Sequence, residues 1–232
     1  MGFFKKLFFI LLIALVIGIN FVVISGYIMY EKAINKTSLS EKVKTIMDNE
    51  KYVTLDNVSE DFKNAIVSIE DHRFYDHDGI DMIGIGRAIL ANIKARNPSY
   101  QGGSTITQQV CKNMYLTQEK QFTRKIAEAF LAFDLENSYS KADILEIYIN
   151  TIYFGNGYYG IQEASMGYYN KSPKDLDLNE SSLLAGIPNA PSAYSPTKNK
   201  KLATERQKIV LEAMVKYNYI SQEQMDEITN KK

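Results

Sequence analysis

AIVSIEDHRFYDHDG, residues 65–79, is the stretch that decides the fold. Phe62, Ala65, Ile66 and Ile69 recur at i, i+3, i+4 and i+7, the spacing of one apolar helix face. The pattern breaks at Glu70-Asp71, and His72, Arg73, Asp76, His77, Asp78 and Gly79 follow in a turn-like setting. A helix that ends by carrying a carboxylate into a loop of charges can hold it half-buried in a cleft, where a general acid or base is made. Taken alone, the stretch reads as well as a solvated helix end; the charged residues further along favour the first reading.

Upstream, Leu7 to Met29 carries no charge. It exceeds the roughly 20 residues that span a bilayer core and the shorter apolar region of a signal peptide, so it reads as an uncleaved anchor. Lys5 and Lys6 precede it and Lys32, Lys36, Lys42 and Lys44 follow, so charge bias does not place the body outside the cytoplasm. The expected organisation is a short tail over 1–6, a transmembrane anchor over 7–30, a linker or stalk over 31–50 and a catalytic body over 51–232. KYVTLDNV, residues 51–58, alternates weakly and predicts a short strand.

Downstream, the signals are helical. Ser59 caps the helix that carries Glu70. Asp81 opens a second helix to about Ala95, with Met82, Ile85, Ile89 and Ile93 on one side. Gly102-Gly103 precede Thr105 and Gln108, which have capping-box spacing, as do Ser140 and Asp143. Between them a helix over about 121–136 is expected, with Phe122, Ile126, Ala129, Phe130 and Phe133 as its buried stripe. Tyrosines crowd the segment 148–169, where core packing is the plainer role and sugar stacking or lipid contact the alternative. Further helices are expected from Asn179, from Lys200 to Tyr217 and after Ser221. No strand–helix alternation and no internal repeat occur, so the body reads as one mainly α domain.

Composition sets limits. The chain has 232 residues, 45% hydrophobic and 23% charged, with net charge +0, which gives bulk nucleic-acid binding no basic domain. Cys111 is the only cysteine, so no intrachain disulfide forms. His72 and His77, five residues apart, do not share a helix face, and no residue is assigned as a metal ligand.

Two carboxylates on separate helices, Glu70 and Glu128, suit chemistry at an acetal carbon. Lys112, Lys120, Arg124 and Lys125 lie near the second, beside a hydroxyl- and amide-rich loop from Gly102 to Gln109. Such cations suit a phosphate-bearing ligand. Together they suggest a sugar whose leaving group is a phosphate or pyrophosphate. The plainer reading of Arg124 and Glu128 is an i, i+4 helix pair worth about 0.3–0.5 kcal/mol.

The same residues carry a resemblance. Glu70-Asp71-x-x-Phe74-x-x-His77-x-Gly79 resembles the first motif of the peptidoglycan glycosyltransferases, glycosyltransferase family 51. Gly102 to Gln109, followed by Lys112-Asn113, is similar to the second, and Arg124-Lys125-x-x-Glu128 to the third. Lys141-x-x-Ile144-Leu145-Glu146-x-Tyr148-x-Asn150 is similar to the fourth, and Arg206 with Val210-Leu211 to the fifth, the loosest. The likeness spans about residues 50–215 in family order. The chain ends soon after, which reads as a monofunctional member of the family or a piece of one, resembling the N-terminal domain of class A penicillin-binding proteins.

The resemblance implies a lysozyme-like helical domain in two lobes, single-pass in the bacterial cell membrane, with an extracytoplasmic cleft. It implies lipid II and the growing glycan strand as substrates, other cell-wall synthesis proteins as partners, and β-1,4 polymerisation with inversion and release of polyprenyl pyrophosphate. Glu70 matches the general base, and Glu128 the second essential carboxylate. Lys112, Arg124 and Lys125 match positions that hold the pyrophosphate. Asp71, Phe74, Arg87, Ser104, Gln108 and Gln109 match substrate-contacting positions, as does Lys120, where many members carry arginine. No cofactor is required, although a divalent cation, magnesium or manganese, helps some members. The alternatives are a lysozyme-like hydrolase or lytic transglycosylase, for which the cations have no purpose, and a catalytically inactive cell-wall scaffold.

Overall fold

An uncharged apolar run gives a helix nothing to stop it. In the computed structural model, which describes residues 2–97, 102–116 and 122–230, helix α1 runs unbroken over Gly2–Lys36. It is the one helix among the described residues long and apolar enough to cross a membrane, and every position from 2 to 21 is exposed. Then follow α2 (Leu39–Met47), α3 (Glu60–Glu70), α4 (Met82–Ala95), α5 (Ile106–Tyr115), α6 (Phe122–Ser138), α7 (Lys141–Thr151) and α8 (Gly160–Tyr169). The chain continues through α9 (Leu178–Gly186), α10 (Pro191–Tyr194), α11 (Lys200–Lys216) and α12 (Gln222–Thr229). The fold is mainly α, with a single isolated β-bridge, Tyr153 to Tyr159, among the described residues.

The helices start where local chemistry says. Ser59 accepts from the Phe62 N–H at 3.1 Å, and Thr105–Gln108 and Ser140–Asp143 form reciprocal capping boxes, satisfying N–H groups that a helix end leaves open. Two layers meet in the core. α3, α9 and α11 pack on one another, and α5 packs between α6 and α7. Phe62, Ile66, Ile106, Leu131, Ile144, Tyr148 and Phe154 are fully buried where these groups join. Within 31–50, α1 continues to Lys36, and α2 lays Val43 into the core against α7.

Two local expectations are corrected. Residues 51–58 form no strand; a 3₁₀ turn sits at Leu55–Asn57. The extended backbone here bonds to α7 side chains, with Val53 N–H to Asn150 Oδ1 at 2.9 Å and Leu55 N–H to Glu146 Oε2 at 2.7 Å. With no neighbouring strand needed, none forms. The buried face of α6 is Ala127, Glu128, Leu131, Ala132 and Leu135, and the expected stripe lies elsewhere, with Phe122 86% exposed and Ile126 and Phe130 against α1. On α4 only Gly84 and Ala88 are buried, and Met82, Ile89 and Ile93 of its apolar stripe face outward.

Candidate active site

Glu70 is the last residue of α3, and the loop after it is pinned at both ends. Asp71, buried, accepts the Ile106 N–H at 3.0 Å and faces His77 Nε2 at 3.0 and 3.1 Å with its two oxygens. Its charge therefore sits on the N-terminus of α5, where the helix dipole favours it. At Gly79 φ is +75°, and a Cβ would come within 3.1 Å of the Ala132 backbone, so a side chain is disfavoured on both counts. The Gly79 N–H donates to Glu136 Oε1 at 3.0 Å, and its carbonyl accepts from Thr105 Oγ1 at 2.6 Å. Glu136 also takes Thr107 Oγ1 and Lys141 Nζ, both at 2.6 Å. This brace, centred on a glutamate that the sequence analysis did not single out, joins α5, α6, α7 and the Glu70 loop.

Thus held, Glu70 has two unlike oxygens. Oε2 accepts from Gln109 Nε2 at 2.8 Å, and the Gln109 amide is held in turn by Tyr148 Oη at 3.4 Å. Oε1 is buried without a hydrogen-bond partner. Burial pushes the Glu70 carboxyl above the usual carboxylate range, against the Gln109 hydrogen bond and the charges of Arg206 and Lys112. A base needs this arrangement: one oxygen fixed, one free, and a proton affinity raised by desolvation.

Arg206 lies on α11 with its guanidinium 5.8 Å from the Tyr194 ring centre and its Nε buried without a partner. Gly186 leaves room for its stem, since a Cβ there would stand 2.9 Å from Arg206 Cγ. Only the loosest motif pointed to this arginine, because its place beside Glu70 depends on how α11 docks.

Glu128 is the opposite case. It is wholly buried, Oε1 accepts from Arg124, and Oε2 accepts from Lys125 Nζ at 2.6 Å. Lys125 also donates to Ser104 Oγ at 2.8 Å, tying α6 to the glycine loop. The plain surface pair is therefore replaced by a buried carboxylate under two cations. Lys112, half-buried on α5, makes no ion pair among the described residues. Burial lowers its ammonium from the usual range, and the charges of Glu128, Arg124, Lys125 and Glu70 all act on it.

The remaining expected residues divide. Gln108 spends its side chain on the capping box, and Phe74 is fully buried under Lys141 Nζ, 4.5 Å from its ring centre. Asp71 and Phe74 therefore shape the loop from behind. Arg87 donates to His72 Nε2 at 2.8 Å, and His72 stacks on Tyr217 with centroids 4.2 Å apart. Burial and the Arg87 charge lower the His72 pKa. Lys120 lies outside the described residues. A groove of about 270 Å³ runs between α4 and the cations, lined by Ile85, Ala88, Ile89, Ser104, Gln108 and Lys125 among others. Among the described residues no group of three His, Cys, Asp or Glu is placed to hold a metal ion.

Known proteins are similar to this chain in sequence. Penicillin-binding protein 1F of Bacillus subtilis (strain 168) is 39% identical over 94% of this chain and 32% of its own length. Penicillin-binding protein 1A of Neisseria lactamica is 45% identical over 77% of this chain and 22% of its own. The chain thus spans about a third or less of these relatives. A crystal structure of penicillin-binding protein 1A from Haemophilus influenzae is 22% identical, with a TM-score of 0.44 over 76% of this chain and 17% of that one. A family model described as Transglycosylase matches residues 37–215, so the chain belongs to the transglycosylase family, the peptidoglycan glycosyltransferases of glycosyltransferase family 51.

Proposed function

We propose that this chain is a membrane-anchored peptidoglycan glycosyltransferase that polymerises lipid II into β-1,4-linked glycan at the outer face of the bacterial cell membrane. The observation that carries the reading is the pairing of a buried carboxylate having one free oxygen, Glu70, with a cation cluster that exceeds the needs of its own carboxylate. Glu70 Oε1 takes the proton from the 4-hydroxyl of the acceptor sugar. The freed oxygen attacks C1 of the donor from the face opposite the leaving group. The C1–O bond to pyrophosphate breaks, the anomeric centre inverts, and polyprenyl pyrophosphate leaves with the bonding electron pair.

Lys112, Arg124 and Lys125 bind the pyrophosphate and stabilise the charge that grows on it. Arg124 and Lys125 stand in the first turn of α6, which has no acidic residue. Cations there work against the helix dipole, which makes sense if the opposing charge comes from a ligand. Glu128 holds these two cations in place. Ser104 and Gln109 fix Lys125 and Glu70, and Arg87, on α4, is bonded to His72. The α1 anchor confines the enzyme to the surface that holds its lipid-linked substrate and so raises effective concentration. No residue is assigned to a divalent ion.

The test incubates detergent-solubilised protein with labelled lipid II and magnesium and separates the products by gel. A ladder of polymers, abolished in Glu70→Gln, is the expected result. Shortening of preformed glycan without new polymer would make the protein a hydrolase, and no change in either substrate would make it a scaffold.

A further inference from the structure

We propose that α1 is a structural part of the cation-bearing cleft as well as a tether, and that Gly26 is the positioning residue that seats it. The proposal rests on the polymerase reading above for its activity readout alone. Gly26 is the only buried residue of α1. A Cβ there would stand 2.5 Å from Ile126 Cβ, 2.6 Å from Ile126 Cγ2 and 2.9 Å from the Thr123 carbonyl oxygen, so α1 and α6 touch backbone to side chain. From that point the two helices run side by side in the same direction. Tyr27 and Tyr30 pack on Phe130, with centroids 5.3 and 5.6 Å apart, Tyr30 Oη donates to Asp134, and Ile34 reaches the core.

This contact spans the part of α6 that carries Arg124, Lys125 and Glu128. Those three project from another face of the same two turns. Because Glu128 is wholly buried, a shift of α6 moves both cations with it. Gly18, two turns earlier on α1, has open space around it. The same helix thus carries one glycine that a tether would tolerate changing and one that a brace would not. A side chain at position 26 must push the helices apart by about 1 Å to reach ordinary contact distance, and a displacement of that size at a binding group can cost up to about a hundredfold in rate.

The experiment uses the full chain in detergent and compares wild type, Gly26→Leu, Gly26→Ala and Gly18→Leu. Three quantities are measured: KM and kcat for labelled lipid II, affinity for inorganic pyrophosphate by calorimetry, and thermal unfolding. The expected result is a KM raised about tenfold or more in Gly26→Leu, less in Gly26→Ala, with weakened pyrophosphate binding, an unchanged unfolding midpoint and a wild-type-like Gly18→Leu. If Gly26→Leu fails to unfold cooperatively, Gly26→Ala carries the comparison. The proposal is overturned if both Gly26 variants match Gly18→Leu, or if KM keeps its wild-type value while kcat and the unfolding midpoint fall together. Should wild type make no polymer while the Gly26 variants still lose pyrophosphate affinity, the brace stands and the polymerase reading falls.

Discussion

Replacing Arg124 by methionine separates what the cation cluster does for the fold from what it does for a ligand. Glu128 is 0% exposed. Its partners differ: the Arg124 side chain is 12% exposed and that of Lys125 46%. Removing the buried partner leaves a buried carboxylate under one half-solvated ammonium, and losing one side of a buried pair costs about 3–5 kcal/mol. Arg124→Met should therefore lose about 3 kcal/mol. Lys125→Met, removing a half-exposed partner, should lose about 1 kcal/mol or less. Urea unfolding followed by circular dichroism measures both numbers. Equal losses in the two variants would refute the account of Glu128 as a buried charge held by Arg124.

Glu70→Gln should raise stability at neutral pH while abolishing polymerisation. The folded Glu70 pKa lies above the unfolded value of about 4.5, so the wild-type fold is favoured below the unfolded value and loses that advantage as pH rises through the folded one. The gain in unfolding midpoint should accordingly vanish near pH 4, and a gain that grows on acidification would reverse the sign of the argument. Asp71→Ala strips the acceptor from the Ile106 N–H and His77 and should cost about 1–3 kcal/mol. KM for lipid II in the protein that remains folded should stay at its wild-type value, and a raised KM at unchanged stability would return Asp71 to the substrate.

What the sequence made legible was local. Ser59, Thr105 with Gln108, and Ser140 with Asp143 announce helix starts, because a cap needs only residues a few positions apart. The carboxylates and cations were legible for the same reason: each stands in a short motif of definite spacing. The direction in which a helix turns its faces was not. On α6 the apolar stripe suggested Phe122, Ile126 and Phe130 as core, yet Glu128 lies inside, because the second apolar surface available to α6 is α1. On α4 the stripe faces away from the body, since periodicity reports that a face is apolar without saying what covers it. Arg206, through its charge, and Tyr148, through Gln109, act on Glu70 from distant parts of the chain, and no spacing rule connects them to it.

The two carboxylates of the cleft share a residue type and differ in everything that sets their work. Glu128 is met on both oxygens by cations, so its charge is already matched and each of its oxygens is engaged. Glu70 has one oxygen held by a neutral amide and one by nothing, in a setting that raises its affinity for a proton. Environments that differ in this way divide the roles of paired acidic groups. The division also explains the geometry between them. Lys112 makes no ion pair among the described residues and feels both, so in the proposed reaction an anion bound to it is drawn to the Glu128 side by Arg124 and Lys125, and the hydroxyl is left to Glu70. A cleft so charged is stable without its ligand only because Glu128 compensates the two cations of α6, and the α1–α6 contact at Gly26 holds that compensation in register.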